Sequence, residues 1–282
     1  MSNSQELRAS YAFCRKVART RARNFYYSFV LLPREQKDAM CAMYAFMRFC
    51  DDLSDEQGGS AVGIERWRQE MNGALRGEFS GHPVWPAFAD TVRRYSIPHA
   101  YFEEMIEGVR SDLPSTCRRR MHTFDELYRY CYQVASVVGL TTIHIFGFSE
   151  PRALELAEKC GIAFQLTNIL RDIREDQDNG RIYLPAEDLA RFHVMKFEYG
   201  ANFTALMSFE SHRAESYYEE SRPLLGMVDR RSQASLWALM EIYHRLLKRI
   251  EKSGFRVLDQ RVSVPAWEKL SIVGRAFTRK LL

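Results

Sequence analysis

Polar side chains recur at helical spacing inside two otherwise apolar segments, and this restricts the chain to folds in which two helices face each other across an interior. The first segment carries Tyr44, Arg48, Asp51, Asp52 and Asp55; the second carries Gln165, Asn168, Arg171, Asp172 and Asp176. Positions i, i+3 or i+4, i+7 and i+11 of a helix share one stripe. Each segment therefore becomes a row of oxygen atoms with a guanidinium beside it. Phe46, Met47, Phe49, Cys50 and Leu53 surround the first row, and the run from Cys160 to Leu170 is apolar apart from Gln165, Thr167 and Asn168. A buried polar group without a partner costs ~1–3 kcal/mol, and three adjacent carboxylates repel one another unless a cation stands among them. Two readings follow: a buried structural network, or two facing rows that hold Mg2+ and a diphosphate. In the second, Asn168 and Asp172 ligate the metal while Arg171 grips phosphate oxygens. Mg2+ takes few protein carboxylates and completes its octahedron with water and phosphate. Rows this sparse suit it better than a closed Ca2+ cage.

The rest of the chain agrees with an all-helical setting, for no stretch shows convincing strand alternation. The pattern predicts a helix from Gln5 to about Arg19, then an aromatic segment from Asn24 to Leu32. Pro33 opens a helix that carries the first row and stops near Gly58-Gly59. A helix over 62–76 and a turn-rich stretch with Gly81, Pro83 and Pro86 come next. Pro98 starts another helix that ends before Pro114. Thr123 and Glu126 form a capping box for a long apolar helix reaching Phe146, and Pro151 opens the helix of the second row, which breaks at Asp178-Asn179-Gly180. Helices over 196–220, 223–252 and 264–282 complete an all-α chain of eight to ten helices. No linker or repeat divides it, so a single domain over 1–282 is expected.

Composition removes several function classes. The net charge of +4 is mild, and basic runs such as Arg118-Arg119-Arg120 do not interleave with aromatics, so nucleic-acid binding is not expected. Cys14, Cys41, Cys50, Cys117, Cys131 and Cys160 form no CxxC pair, which leaves buried thiols rather than zinc ligands or a disulfide framework. The polar N-terminus is unlike a signal peptide, and the most apolar run, 135–148, is too short to span a bilayer. A cytoplasmic protein is the expectation. No HExxH, GxSxG or Walker-type loop occurs.

Five segments together resemble the squalene/phytoene synthase family of head-to-head prenyl transferases. They are Asn24-Phe25-Tyr26-Tyr27-Ser28-Phe29 with Leu31-Leu32-Pro33; Tyr44 through Asp55-Glu56; Tyr130-Cys131-Tyr132 with Val134-Ala135 and Val138-Gly139; Gln165 through Asp176; and Arg181-Ile182-Tyr183-Leu184-Pro185. Their order and spacing agree over nearly the whole chain. The resemblance implies an all-α isoprenoid-synthase helical bundle with a central cavity. It implies Mg2+ held by Asp51, Asp55, Asn168 and Asp172, with Asp176 extending that row. It implies substrate contacts from Tyr44, Arg48, Gln165 and Arg171, and from the stretch Arg21 to Asn24 with Phe25. There the chain departs from many members, carrying Ala22-Arg23-Asn24 in place of serines. Arg181, just after the second row, would close over a bound diphosphate. Phe255 stands where relatives often carry Tyr. Tyr44, Arg48, Asp51, Asp55 and Asp172 are the expected catalytic set.

The subgroup most resembled is the bacterial hopanoid-pathway presqualene diphosphate synthases, whose substrate is two molecules of farnesyl diphosphate. NADPH would be needed only if the reaction continued to squalene. Geranylgeranyl diphosphate giving phytoene, and a helical scaffold without chemistry, are the alternatives. A C-terminal anchor of the eukaryotic squalene synthase type is not expected, and peripheral membrane contact is compatible with such greasy molecules, though no amphipathic anchor stands out. Oligomeric state is not legible.

Overall fold

The helical periodicity of the sequence is realised throughout the computed structural model, which describes residues 3–22, 25–55, 60–79, 81–113 and 121–281. In order the elements are α1 (Asn3–Arg21), α2 (Phe25–Phe29), α3 (Arg34–Asp55), α4 (Ala61–Leu75), α5 (Trp85–Arg94), α6 (His99–Ser111), α7 (Phe124–Cys131), a π-helical turn (Tyr132–Ser136), α8 (Val137–Phe146), α9 (Arg152–Asp178), α10 (Ala186–Arg191), α11 (Ala201–Ser221), α12 (Leu224–Met227), α13 (Arg230–Lys252) and α14 (Ala266–Leu281). Among the described residues no strand forms, and an isolated bridge joins Phe148 and Val228. The protein is all-α. Gly58-Gly59, Cys117 and Arg118-Arg119-Arg120 lie outside the described residues.

Helix starts follow the local chemistry. The Pro33 carbonyl accepts from Lys37 N at 2.9 Å, giving α3 its first intrahelical bond. The Thr123 hydroxyl accepts from Glu126 N at 3.3 Å, while the Glu126 carboxylate reaches back to His122 N at 2.8 Å, one residue before the position a capping box prescribes. Pro98 and Pro151 stand at the N-caps of α6 and α9.

Three stretches differ from their sequence expectation. The turn-rich region around Pro86 holds α5, with that proline in the first turn. Trp85, Phe88 and Val92 make an apolar stripe whose burial outweighs the turn signals, and the Phe88 ring stacks on Phe46 at 4.5 Å. The segment 223–252 is cut at Val228, where Ser149 N bonds Met227 O and Asp229 N bonds Gly147 O, both at 3.0 Å. Those bonds divert the backbone from helix into a link with the α8–α9 connection. Finally, the long helix after Thr123 is interrupted by the π-turn.

That interruption has a steric counterpart on the facing helices. A Cβ added to Gly161 of α9 would stand 2.5 Å from Ser136 Cα, and one on Gly108 of α6 would stand 2.9 Å from the Val134 side chain. The π-turn is thus wedged between two helices that have no side chain where they meet it. One extra residue in the turn swings Val134 and Ala135 toward the centre.

Two large apolar clusters surround that centre. Phe46, Trp85, Phe88, Phe102 and Ile106 belong to one; Leu170, Phe203, Leu206, Tyr243 and Leu247 belong to the other. The first half of α9 packs with the former through Leu156 and Cys160, and the second half with the latter through Leu166 and Ile173. This explains why α9 is apolar on almost every side except one row. Among the described residues no helix is long and apolar enough to cross a membrane.

Replacing Gly161 by Ala forces the π-turn or α9 to shift. A loss of about 1–3 kcal/mol is expected from such overpacking, checked by denaturant unfolding; a variant as stable as the parent would show that the contact is soft.

Candidate active site

The two polar rows open on one cavity of about 430 Å3. From α3 come Tyr44, Arg48 and Asp51, and from α9 come Gln165, Asn168 and Arg171, with Arg21 and Arg261 beside them. Helical spacing puts each set on one stripe, as 3.6 residues per turn requires. Deeper, the lining is apolar and buried: Phe29, Met43, Ile143, Leu224 and Leu236. Arg21, Asp51 and Arg261 are solvent-exposed. The cavity therefore has a charged mouth and a greasy interior. Among the described residues lining it, four are arginines and one, Asp51, is a carboxylate. The balance favours an anion.

Each group of arginines is tethered by one carboxylate. Asp52 accepts from Arg21 Nη1 at 2.5 Å and Nη2 at 3.1 Å, and pairs with Arg48 Nη2 at 2.5 Å. Asp51, about 100° away around the helix, turns to the cavity instead. On the other side Asp172 takes Arg171 Nε at 2.7 Å and Arg261 Nε at 3.0 Å, and Arg261 also stands 3.6 Å from Glu175. These pairs hold the guanidinium groups in place without covering every donor.

Two buried atoms at the mouth have no hydrogen-bond partner, Arg48 Nε and Asn168 Oδ1. One is a donor suited to a phosphate oxygen and the other an acceptor suited to a cation. Leaving such atoms unpaired is unfavourable, so both mark places where a ligand completes the structure. Burial pushes the neighbouring Tyr243 phenol up to about 12, which keeps it a neutral hydroxyl against Asn168. Its ring stacks on Phe164 at 4.3 Å. Burial likewise raises the Tyr44 phenol.

Other expected site residues do not line this cavity. Arg181 does not line the cavity; its Nη2 donates to the Asp112 carbonyl at 2.9 Å. The Asp112 carboxylate accepts from the hydroxyls of Tyr130 and Tyr183, each at 3.0 Å, and those rings stack at 4.8 Å. Asp176 is beside this cluster, where burial, then Asp172, lift its carboxyl to about 7. Phe255 occupies the turn after α13 with φ of 59° and packs in the α9–α11–α13 apolar cluster, away from the cavity lining. Asn24, and the side chains of Phe25 and Asp55, lie outside the described residues.

For a divalent cation the donors present are Asp51 and Asn168 at the cavity, with Asp172 behind the arginines. Among the described residues no three acidic, His or Cys side chains converge into a closed metal cage. An incomplete oxygen set with an unpaired Asn168 Oδ1 fits Mg2+, which leaves several positions to water and phosphate.

A family model for squalene/phytoene synthase matches residues 18–268. The chain belongs to the squalene/phytoene synthase family. It is 38% identical over 280 residues to a protein of Mycobacterium tuberculosis named phytoene synthase, covering 96% of this chain and 91% of that one. A phytoene synthase of Arthrospira platensis is 34% identical over 93% of this chain and 90% of its own. Among solved structures, a dehydrosqualene synthase with bound ligand superposes with a TM-score of 0.89 at 28% identity, covering 99% of both chains. Squalene synthase HpnC from Alicyclobacillus acidocaldarius gives 0.82 at 27% identity, over 89% of this chain and 96% of that one. As a squalene/phytoene synthase the protein is a prenyl transferase of isoprenoid biosynthesis. It condenses prenyl diphosphates head to head, and the family to which it belongs uses a divalent metal.

Sequence reasoning assigned no role to Arg261 or the Phe164–Tyr243 pair, and it placed Asp52 among the row's oxygen ligands, not as the tether of two arginines. Arg261 is 89 residues from Asp172 and sits outside any periodic segment, so only the fold brings the two together. Asp52 was visible in the first row, but which of two adjacent acids faces inward depends on helix rotation.

Asp176 supplies a pH test. In the folded protein its carboxyl keeps a proton from the ordinary 3.8 up to about 7, where the unfolded chain has lost it. The stability from this group is therefore present below about pH 4 and lost as pH rises through 7. In metal-free protein, the melting temperature of Asp176→Asn relative to the parent should climb across that window. A constant difference would show that the carboxyl titrates normally.

Proposed function

We propose that the enzyme joins two molecules of farnesyl diphosphate, 1′ to 1, into presqualene diphosphate, releasing diphosphate and a proton. The observation that carries this reading is the division of the cavity into an arginine-rich mouth and an apolar interior, which matches an anionic head on a hydrocarbon tail. Asp51, Asn168 and Asp172, together with Asp55 and Asp176, would hold Mg2+, which when bound draws charge from the leaving diphosphate. Arg21, Arg48, Arg171 and Arg261 bind phosphate oxygens, with the unpaired Arg48 Nε–H as one ready donor. Gln165 orients the same head group.

Once the C–O bond of one substrate ionises, its allylic C1 is attacked by the double bond of the second chain. Loss of a proton then closes a cyclopropane. The departing diphosphate is the base closest to hand, and Tyr44, a neutral phenol at working pH, donates to it rather than taking the proton. The faces of Phe29, Phe164 and Tyr243 at the cavity stabilise the carbocation through their quadrupoles. Apolar walls keep out water that would quench it. NADPH enters only if the same site carries presqualene diphosphate on to squalene.

A second reading has a specific support. The relatives reported above by sequence are named phytoene synthases, and a deeper cavity would take two geranylgeranyl diphosphates. Tail length is set by the bulky interior residues Phe29, Met40, Met43 and Met105.

The deciding experiment offers labelled farnesyl or geranylgeranyl diphosphate with Mg2+, with and without NADPH, and resolves the products. Presqualene diphosphate in both NADPH arms supports the proposal; squalene only with NADPH extends it. Phytoene from the longer substrate alone replaces it. Asp51→Ala should lower kcat on the order of 10²-fold or more with little change in melting. Phe29→Ala should raise kcat/KM for the longer substrate relative to the shorter, and no change in that ratio would remove Phe29 as a determinant of tail length.

A further inference from the structure

Among the described residues seven large apolar side chains are conspicuously exposed, and three of them share the sixteen-residue helix α14: Trp267 at 69%, Leu270 at 58% and Phe277 at 55%. At about 100° per residue they fall on one stripe with Gly274 between them. The opposite side of α14 is already used: Ile272 and Ala276 are buried against Leu31, Ala238 and Ile242. The helix thus has two apolar faces, and only one is covered by the protein. Exposed hydrophobics scattered singly need no explanation, whereas a stripe on one element marks an interaction surface.

The charges on α14 indicate what covers it. Its one acid, Glu268, is 7% exposed and is neutralised from inside by Arg245 and Arg249, each at 2.8 Å. The basic residues stand along the two edges of the outward stripe. Arg275 lies on one side, its guanidinium carbon 5.5 Å from the Trp237 ring centre, and Lys269 on the other, its Nζ 5.7 Å from that of Tyr27. Arg279 and Lys280 add to the count in the sequence. Trp, Leu and Phe on one face, flanked by cations and with no outward acid, is the pattern of a helix that lies in a lipid interface. A protein partner would be expected to present matching carboxylates and a shaped pocket; an anionic bilayer needs only apolar depth and negative charge.

The position of α14 agrees. Arg261, at the cavity mouth and bonded to Asp172, precedes Trp267 by six positions. α2, whose Phe29 lines the cavity, packs in the same small cluster through Tyr27, as does Leu31 just after it, and Val30, between α2's end and Leu31, is 47% exposed. The helix that bears the uncovered stripe is therefore adjacent to two segments that border the cavity.

We propose that α14 docks the enzyme on an anionic lipid bilayer, with Trp267, Leu270 and Phe277 inserted and Lys269 and Arg275 at the head groups. The usefulness of such docking rests on the prenyl chemistry proposed above, since the products are lipids; the docking itself is tested without any turnover.

The test is flotation of the full chain with vesicles of phosphatidylcholine alone or with phosphatidylglycerol added, at low and high salt. The protein should float with the anionic vesicles and less so in salt. Trp267 is the most exposed indole, because Trp67 and Trp85 are buried and Trp237 is half-buried, so its emission should shift to the blue. A variant carrying Trp267→Ser, Leu270→Ser and Phe277→Ser should lose vesicle affinity on the order of tenfold or more. It should retain the parent's melting temperature and its activity on detergent-dispersed substrate. Lys269→Glu with Arg275→Glu should abolish the preference for anionic lipid. Absence of flotation, or a triple variant that floats like the parent, would overturn the proposal. So would a concentration-dependent dimer that the triple variant dissolves, for the stripe would then be a contact between copies.

Discussion

Four guanidinium groups at the mouth of an apolar hole are the arrangement on which the remainder of this structure depends. Unpaired, they would repel one another and drag water inward; fully neutralised, they could not attract a phosphate. Asp52 and Asp172 resolve the conflict, each holding two arginines from different parts of the chain. Asp52 ties α1 to α3, and Asp172 ties the segment after α13 to α9. Arg21 and Arg261 are exposed, and ion pairs to such exposed arginines add little to stability. Their value is positional, because they keep donors aimed at the mouth before any ligand arrives and so reduce the reorganisation that binding requires.

Keeping an interior hole open calls for a different device. Close-packed helices tend to fill the space between them. Here the π-turn, fitted between Gly108 and Gly161, changes the direction of the chain from Tyr132 onward and presents the small Ala135 to the cavity. The walls are then made by side chains that cannot reach across. Thus a backbone irregularity and two missing side chains shape the volume, while the arginine–carboxylate pairs define its entrance.

Much of this was legible beforehand, for physical reasons that vary by element. The two acid rows declared themselves because polar residues at helical spacing in apolar surroundings have few explanations, and α3 and α9 carry them as expected. Proline and threonine signals placed several helix starts. The π-turn was invisible, since it depends on how closely two other helices approach. α5 was hidden because the prolines near it read as turns, although one of them suits a first helical turn. Within the site, local motifs could name Arg48, Gln165, Asn168 and Arg171 but not Arg261, which reaches Asp172 only through the closure of the bundle. The apolar stripe on α14 was not read from the sequence, because the helix carries apolar residues on two faces and which of them is covered is a tertiary fact.

The cavity also alters what it means for this protein to be folded. A space of about 430 Å3 lined by Phe29, Met43, Ile143 and Leu236 is contact that the native state forgoes, as in any core with material removed. A prenyl chain that enters supplies the missing neighbours, so hydrocarbon tails act as the last pieces of the core. Ligand that binds only the native state adds stability in proportion to the logarithm of its concentration. Protein starved of prenyl diphosphate is then the form that opens most readily and meets proteases first. The lifetime of the enzyme in a cell becomes tied to the supply of its own substrate, without any dedicated regulatory site.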